Sequence, residues 1–298
     1  MEVINTWEDY ELIDAGGAEK LERWGLFILR RPDPQAIWPK NSELAQEWET
    51  ASAVYTRSST GGGEWKMRKK LPTQWVINYQ DLKFFVRPTG FKHTGIFPEQ
   101  AGNWEFLRNN IKKFAKFRNK PISVLNLFGY TGCATVACSS VGASVVHIDS
   151  SKQILTTAKD NIALSGLSDN NVRYIPEDAI SFVKKELRRG NSYDIIIMDP
   201  PTFGRGDKGQ VWKIEKDLSD FIDLTYNLLS SDPIAFLVNT YVSGLSSQTL
   251  KNMLNLKFDN NMNGVVEADE LGLPIKTSKP NKFEMILPTG VYARWHKS

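Results

Sequence analysis

Asp199-Pro200-Pro201 is followed two residues later by Phe203 and a glycine-rich basic stretch, in "DIIIMDPPTFGRGDKGQ". Asp199 and the carbonyl of Pro200 can accept hydrogen bonds from a substrate N–H. The two prolines fix φ and remove N–H donors, so this edge offers acceptors in a rigid geometry. Phe203 offers a ring that can stack on a planar base. Gly204 and Gly206 loosen the stretch, and Arg205 and Lys208 carry charges that reach phosphates. The plainer alternative is a strand terminator followed by a surface loop.

Three other places share this character. "NLFGYTGCATVA" carries Gly129 and Gly132, which permit a sharp turn and a close backbone approach to a ligand. Taken alone, it is equally an ordinary strand–turn–helix connection. Asp149 stands twenty residues after Gly129, where an acid can accept hydrogen bonds from ribose hydroxyls. It is otherwise an Asp ahead of a helix capped by Ser150 or Ser151. Asp178 can bond an adenine amino group or cap the helix that follows it.

These residues need a sheet to bring them together. From about residue 104 the chain alternates: "ISVLNLF", "SVVHID", "VRYI", "YDIIIMD" and "IAFLVNTY" read as strands, and amphipathic helices separate them. Continuous apolar strands between helices predict a doubly wound, mostly parallel α/β sheet covered on both faces. "GVVEADEL" and "FEMILPTGVYARW" read as a late hairpin with an antiparallel edge strand. Ligands of such sheets bind at the carboxyl ends of the strands, and there stand the glycines, Asp149, Asp178 and Asp199. Residues 1–95 read as a small strand-rich α+β domain of possible substrate- or RNA-binding use. One helix near "SELAQEWE" is capped by Ser42, and "RSSTGGGEWKMRKK" reads as an exposed loop. Residues 96–298 form the second domain.

Four consecutive strand ends of this kind describe an adenosine-bearing ligand laid along the sheet edge. The third glycine of G-x-G-x-x-G is missing, which disfavours NAD and FAD, and no P-loop motif is present. "VLNLFGYTG", "VVHIDSS", "ILTTAKDNIALSG", "PEDA", "DIIIMDPPTF" and "TGIFPEQAGNW" together resemble class I S-adenosylmethionine-dependent methyltransferases over about residues 72–295. Within the class they are similar to the group of bacterial 23S rRNA cytosine-C5 and guanine-N7 methyltransferases. The resemblance implies a Rossmann-like fold and S-adenosylmethionine as cofactor. It also implies Phe97 and Gln100 near the methionine half, with Asn126, Phe128, Gly129, Tyr130, Thr131 and Gly132 beneath it. Asp149 with Ser150 would meet the ribose, Asp178 with Ala179 the adenine, and Asp199 both cofactor and substrate. Cytosine-C5 members use a cysteine thiolate, and neither "DPPTF" nor "LVNTYVSGLS" contains one, which leaves a base nitrogen of the guanine-N7 kind or an exocyclic amine.

Composition narrows the setting. The 298 residues carry a net charge of only +3, but thirteen Lys/Arg lie between Lys66 and Lys120 against Asp81, Glu99 and Glu105. A basic middle suits a polyanion, here RNA of the ribosomal kind, although it suits an ordinary solvated surface equally. In "RNNIKKFAKFRNK" the residues Arg108, Lys112 and Lys116 fall at i, i+4 and i+8, a basic stripe opposite Leu107, Ile111, Phe114 and Ala115. Two cysteines five apart and three histidines give no disulfide framework and no metal-ligand spacing. A cytoplasmic setting, with no metal and no membrane partner, is the expectation. Alternatives are a small-molecule or protein methyltransferase, or a non-catalytic cofactor- or RNA-binding module.

Overall fold

The computed structural model describes residues 1–58, 62–90, 92–205, 211–258, 262–276 and 284–298. The chain forms two compact units, Met1–Gly102 with Leu271–Thr289, and Asn103–Glu270 with Gly290–Ser298. The sequence boundary at 95/96 falls near the first passage between them, but not the return at 271–289. The two ends of that return fall within the strands Gly264–Pro274 and Ile286–Lys297, so no linker composition marks it.

In the first unit the strands are β1 (Glu2–Val3), β2 (Tyr10–Gly16), β3 (Glu19–Trp24), β4 (Phe27–Pro32), β5 (Ala53–Arg57), β6 (Gly63–Met67), β7 (Trp75–Tyr79) and β8 (Leu82–Val86). Strands β2 to β6 form one sheet in chain order, and β7 and β8 form a separate ribbon. Strands β4 and β5 are parallel, so the chain must cross over between them. Helix α1 (Ala45–Thr50) lies on that crossover and buries Trp48 beside Leu21 and Ala51. The turn before α1 is capped by Asn41, not Ser42, because the Asn41 side chain accepts from Glu43 N. "RSSTGGGEWKMRKK" is not all loop: β6 pairs antiparallel with β5. β1 pairs in parallel with Leu271 and Gly272.

Helix α2 (Ala101–Ala115) carries the chain into the second unit, which begins at Asn103. Then follow β9 (Ser123–Leu127), α3 (Cys133–Ser139), β10 (Ser144–Asp149), α4 (Lys152–Leu164), β11 (Val172–Pro176), α5 (Ala179–Arg189) and β12 (Ile195–Met198). A short ribbon of β13 (Phe203–Arg205) and β14 (Val211–Lys213) precedes α6 (Ile214–Tyr226), β15 (Ala235–Thr240) and α7 (Ser247–Asn255). Two long strands, β16 (Gly264–Pro274) and β17 (Ile286–Lys297), close the chain. The sheet order is β11-β10-β9-β12-β15-β17-β16-β1. Strands β9 to β12 and β15 are parallel, and β17 is antiparallel to β15. The antiparallel strand is therefore flanked by β15 and β16 and is no edge.

Strand periodicity sorts the core onto two faces. Leu125, Leu127, Ile196, Met198, Phe236 and Val238 pack with Phe182, Phe221 and Leu250 of α5, α6 and α7. Val124, Ile195, Ile197, Ala235 and Leu237 pack with Leu107, Ile111 and Phe114 of α2 and Cys138 of α3. Helices on both faces explain why every residue of β12 is buried. The order reverses direction between β9 and β12, so the carboxyl ends of these two strands flank the switch point where ligands of open α/β sheets bind.

Candidate active site

The turn after β9 is held in an unusual backbone state. Phe128, Tyr130 and Gly132 all have positive φ, at 56°, 50° and 83°. Left-handed non-glycine residues persist only where surroundings over-determine them. Here Asp149, at the end of β10, is the restraint: its Oδ2 accepts from Tyr130 N at 3.1 Å and its Oδ1 from Ser151 N at 2.9 Å. Burial raises its pKa, opposed by those two backbone hydrogen bonds. A carboxylate has about four lone-pair positions. Two backbone bonds therefore leave acceptor capacity on the carboxylate.

The glycines serve a different purpose from the one that the sequence suggests. A Cβ on Gly129 would stand 2.4 Å from Cε1 of His147, and one on Gly132 would stand 2.9 Å from Cβ of Ala158. Their bareness seats the turn on the sheet and on α4, below the turn rather than toward a ligand. His147 is fully buried, and burial lowers its pKa to about 4, so the ring is neutral. Thr135 Oγ1 lies 2.8 Å from His147 Nδ1 and accepts from Asn126 Nδ2 at 3.0 Å. Asn126 is thus a buried support beneath the turn. Thr131 is also buried, and its carbonyl accepts from Asn161 Nδ2 at 2.9 Å. Sequence spacing assigned His147 nothing. The signal available was a histidine inside an otherwise apolar parallel strand, which must find a polar partner.

Asp178 caps α5, accepting from Ser181 N at 2.8 Å, and Ala179 is buried at the first helical position. Ser151, not Ser150, caps α4. Phe97 and Gln100 lie in the first unit, Phe97 just before the turn Pro98–Gln100 and Gln100 as its last residue, and the Phe97 ring is 5.2 Å from His93.

Asp199 follows β12, and Asn239 Nδ2 donates to its Oδ1 at 3.0 Å. Pro200 is buried, whereas Pro201 and Phe203 are exposed. The loop after them is anchored by Trp212, whose Nε1 donates to the Pro201 carbonyl at 2.6 Å. The Trp212 ring packs against Phe128 and Phe221 at centroid distances of 6.0 and 5.7 Å. Trp212 is therefore the core aromatic of this loop, and Phe203, half exposed, is not. Arg205 ends β13. Lys208 and Gly206 lie outside the described residues.

The basic stripe is not one surface. Lys112 and Lys116 are exposed, but Arg108 is 8 % exposed and Lys116 lies beyond the last residue of α2. Arg108 stands four residues after Trp104 and three before Ile111, both buried, which puts it on the same arc as the core residues. Ala115, expected on the buried face, is exposed.

Cys133 and Cys138 are buried free thiols, and burial pushes both pKa values up to about 12. Neither suits a nucleophile, which needs a thiolate. A Cys133→Ser/Cys138→Ser double variant is expected to keep methyl transfer and to unfold at a lower temperature, because hydroxyls enter buried sites. Loss of transfer in a folded variant, or an RNA adduct trapped through either sulfur, would contradict this.

A doubly wound sheet with an acid-restrained turn at one side of the switch point and Asp-Pro-Pro at the other defines a nucleoside-cofactor enzyme of the Rossmann-like class. The family model described as S-adenosylmethionine-dependent methyltransferase matches residues 53–228, more than half of the chain, and the chain belongs to this family. It is similar to a solved S-adenosylmethionine-dependent methyltransferase from Agrobacterium tumefaciens, with 34% identity and a TM-score of 0.90 over 99% of this chain and 93% of that one. It is also similar to ribosomal RNA large subunit methyltransferase K of Neisseria meningitidis, 30% identical over 227 residues. The K/L protein of a Shewanella species is 30% identical over 219 residues. These alignments cover 74% and 72% of this chain but span only 62% and 28% of the two relatives.

Proposed function

We propose that this methyltransferase acts on a base nitrogen of ribosomal RNA, of the guanine-N7 kind. The observation that carries this reading is the Asp199-Pro200-Pro201 edge at the switch point, with the half-exposed Phe203 ring beside it and no thiol in "DPPTF" or "LVNTYVSGLS". Two relatives named as large subunit rRNA methyltransferases supply the substrate class. Buried free cysteines fit a reducing compartment, so the proposed setting is the cytoplasm.

S-adenosylmethionine supplies a methyl group on an already activated sulfonium leaving group. The residues of this chain have the task of alignment. Asp149 with Ser150 would hold the ribose, Asp178 and Ala179 the adenine, and the Phe128–Gly132 turn the methionine half. Asp199 and the Pro200 carbonyl would accept from the base, and Phe203 would stack on it. A ring nitrogen attacks through its lone pair, so no thiolate is needed. Lys112, Lys116, Arg205 and Lys208 are the candidate phosphate contacts.

The test is methyl transfer from labelled S-adenosylmethionine to large-subunit rRNA prepared from a strain lacking this gene, with the product mapped by mass spectrometry. A new base-nitrogen methyl is the expected result. Unchanged rRNA methylation in the deletion strain would exclude rRNA and favour a small-molecule or protein substrate. Asp149→Asn is expected to weaken cofactor affinity about tenfold, the difference between a charged and a neutral acceptor. An asparagine oxygen also cannot hold Tyr130 N and Ser151 N on two separate oxygens. Titration of S-adenosylmethionine into the pure variant checks it.

A further inference from the structure

We propose that Asn239 is a positioning residue for methyl transfer: its amide N–H fixes the Asp199 carboxylate as an acceptor, so that the site takes a target edge presenting an N–H donor. This rests on the reading of Asp199 as a substrate contact. Asn239 belongs to neither the Asp-Pro-Pro motif nor the cofactor turn. It comes from the neighbouring strand, and the register of the sheet brings it there.

Strands β12 and β15 run parallel with Met198 opposite Val238. Asp199 and Asn239 are the next residue on each strand. Alternation puts them on the face of Ile197 and Leu237. The resulting bond, Nδ2 to Oδ1 at 3.0 Å, is part-buried. The reverse amide orientation would set an oxygen against the carboxylate, so the donor assignment follows from charge.

Asn239 is fully buried, and its Oδ1 has no hydrogen-bond partner among the described residues. A buried acceptor without a partner costs stability. A leucine or valine would fill a strand position in this core without that cost. The N–H side of the amide is therefore what the position retains. An amide N–H only donates, so the Asp199 oxygen that it holds acts as an acceptor. A carboxylate fixed in this way matches the N1–H and N2–H edge of guanine and leaves the opposite edge, where N7 carries its lone pair, free to meet the methyl group.

The experiment uses the full chain, labelled S-adenosylmethionine and the same unmethylated large-subunit rRNA. Asn239→Leu and Asn239→Ala remove the donor with different packing, so at least one readout survives a folding defect. Both are expected to lower kcat at least tenfold, with the KM for S-adenosylmethionine within about threefold of wild type. The exchange variant Asp199→Asn/Asn239→Asp restores an amide–carboxylate pair with its partners reversed. It is expected to recover thermal stability relative to Asn239→Asp alone, but not kcat. If the exchange recovers kcat together with stability, the pair is merely structural and the proposal is overturned. Wild-type kcat in Asn239→Ala, with Asp199→Asn inactive, overturns the proposal alone. Wild-type transfer by Asp199→Asn overturns the underlying reading of the site.

Discussion

Glu22→Gln is expected to cost about 3–5 kcal/mol of stability near neutral pH, the usual penalty for breaking a buried ion pair from one side. Glu22 is fully buried, and Arg31 grips it with Nε to Oε2 at 2.6 Å and Nη2 to Oε1 at 2.7 Å. Tyr10 Oη donates to Oε1 at 3.0 Å. Burial by itself would raise the carboxyl pKa, but Arg31, Lys20 and the hydrogen bonds from Arg31 and Tyr10 outweigh it and bring the value to about 2. The sign of the pH effect follows. A folded pKa below the unfolded value of about 4.3 contributes stability that is complete above that value. It is lost as pH falls toward 2. Glu22→Gln should therefore flatten the acid limb of the stability profile of the first unit, as well as lower its plateau. The pair also has a local consequence: Arg31 Nη1 donates to the Lys92 carbonyl at 2.9 Å, steadying the segment that leads to Phe97 and Gln100. Denaturant unfolding followed by tryptophan fluorescence between pH 3 and 8 checks the prediction. A Glu22→Leu/Arg31→Met double variant should recover part of the loss, since no unpaired charge remains, while the Tyr10 hydroxyl and the Lys92 carbonyl lose their partners. A Glu22→Gln variant as stable as wild type would mean that the pair is balanced by desolvation alone.

That pair also shows where sequence reading ran out. "EKLERWGLFILRRP" gives Glu22 and Arg31 the look of surface residues, and nothing in their spacing marks them as facing each other across β3 and β4. Short strands posed the same problem. β13 and β14 have three residues each and are tied by Trp212, whose partner is a carbonyl and not a side chain. The parallel strands were legible because burial on both faces makes them uninterrupted apolar runs, and their ends were legible because polar residues must stop there. The purpose of the glycines was not legible. Gly129 announces close approach, but only the folded sheet brings the His147 ring against it. Arg108 was misread because charge was weighed ahead of helix geometry, although Trp104 and Ile111 already bracketed it. The bond from Asn239 to Asp199 needed strand register, which no single sequence states.

Phe203→Ala is expected to leave fold and cofactor affinity nearly intact while lowering transfer to RNA about tenfold to hundredfold, the worth of one lost base stack of about 1–3 kcal/mol. Misalignment of the reacting atoms can add to that loss. The structure separates the two aromatics of this loop. Trp212 is 8 % exposed and packs among Phe128 and Phe221, whereas Phe203 is 50 % exposed at the start of the ribbon. Truncating a half-exposed ring removes little buried area, so the change in melting temperature should be small. Truncating Trp212 should instead lower stability and release the Pro201 carbonyl. Thermal unfolding, cofactor titration and single-turnover transfer, measured on one preparation of each variant, distinguish these outcomes. Single turnover matters because steady-state rates can report product release instead of alignment. If Phe203→Ala lowers the melting temperature sharply and leaves transfer per folded molecule unchanged, the ring is a packing element. Asp-Pro-Pro would then end a strand and do no more, and the substrate edge would have to be sought elsewhere along the sheet.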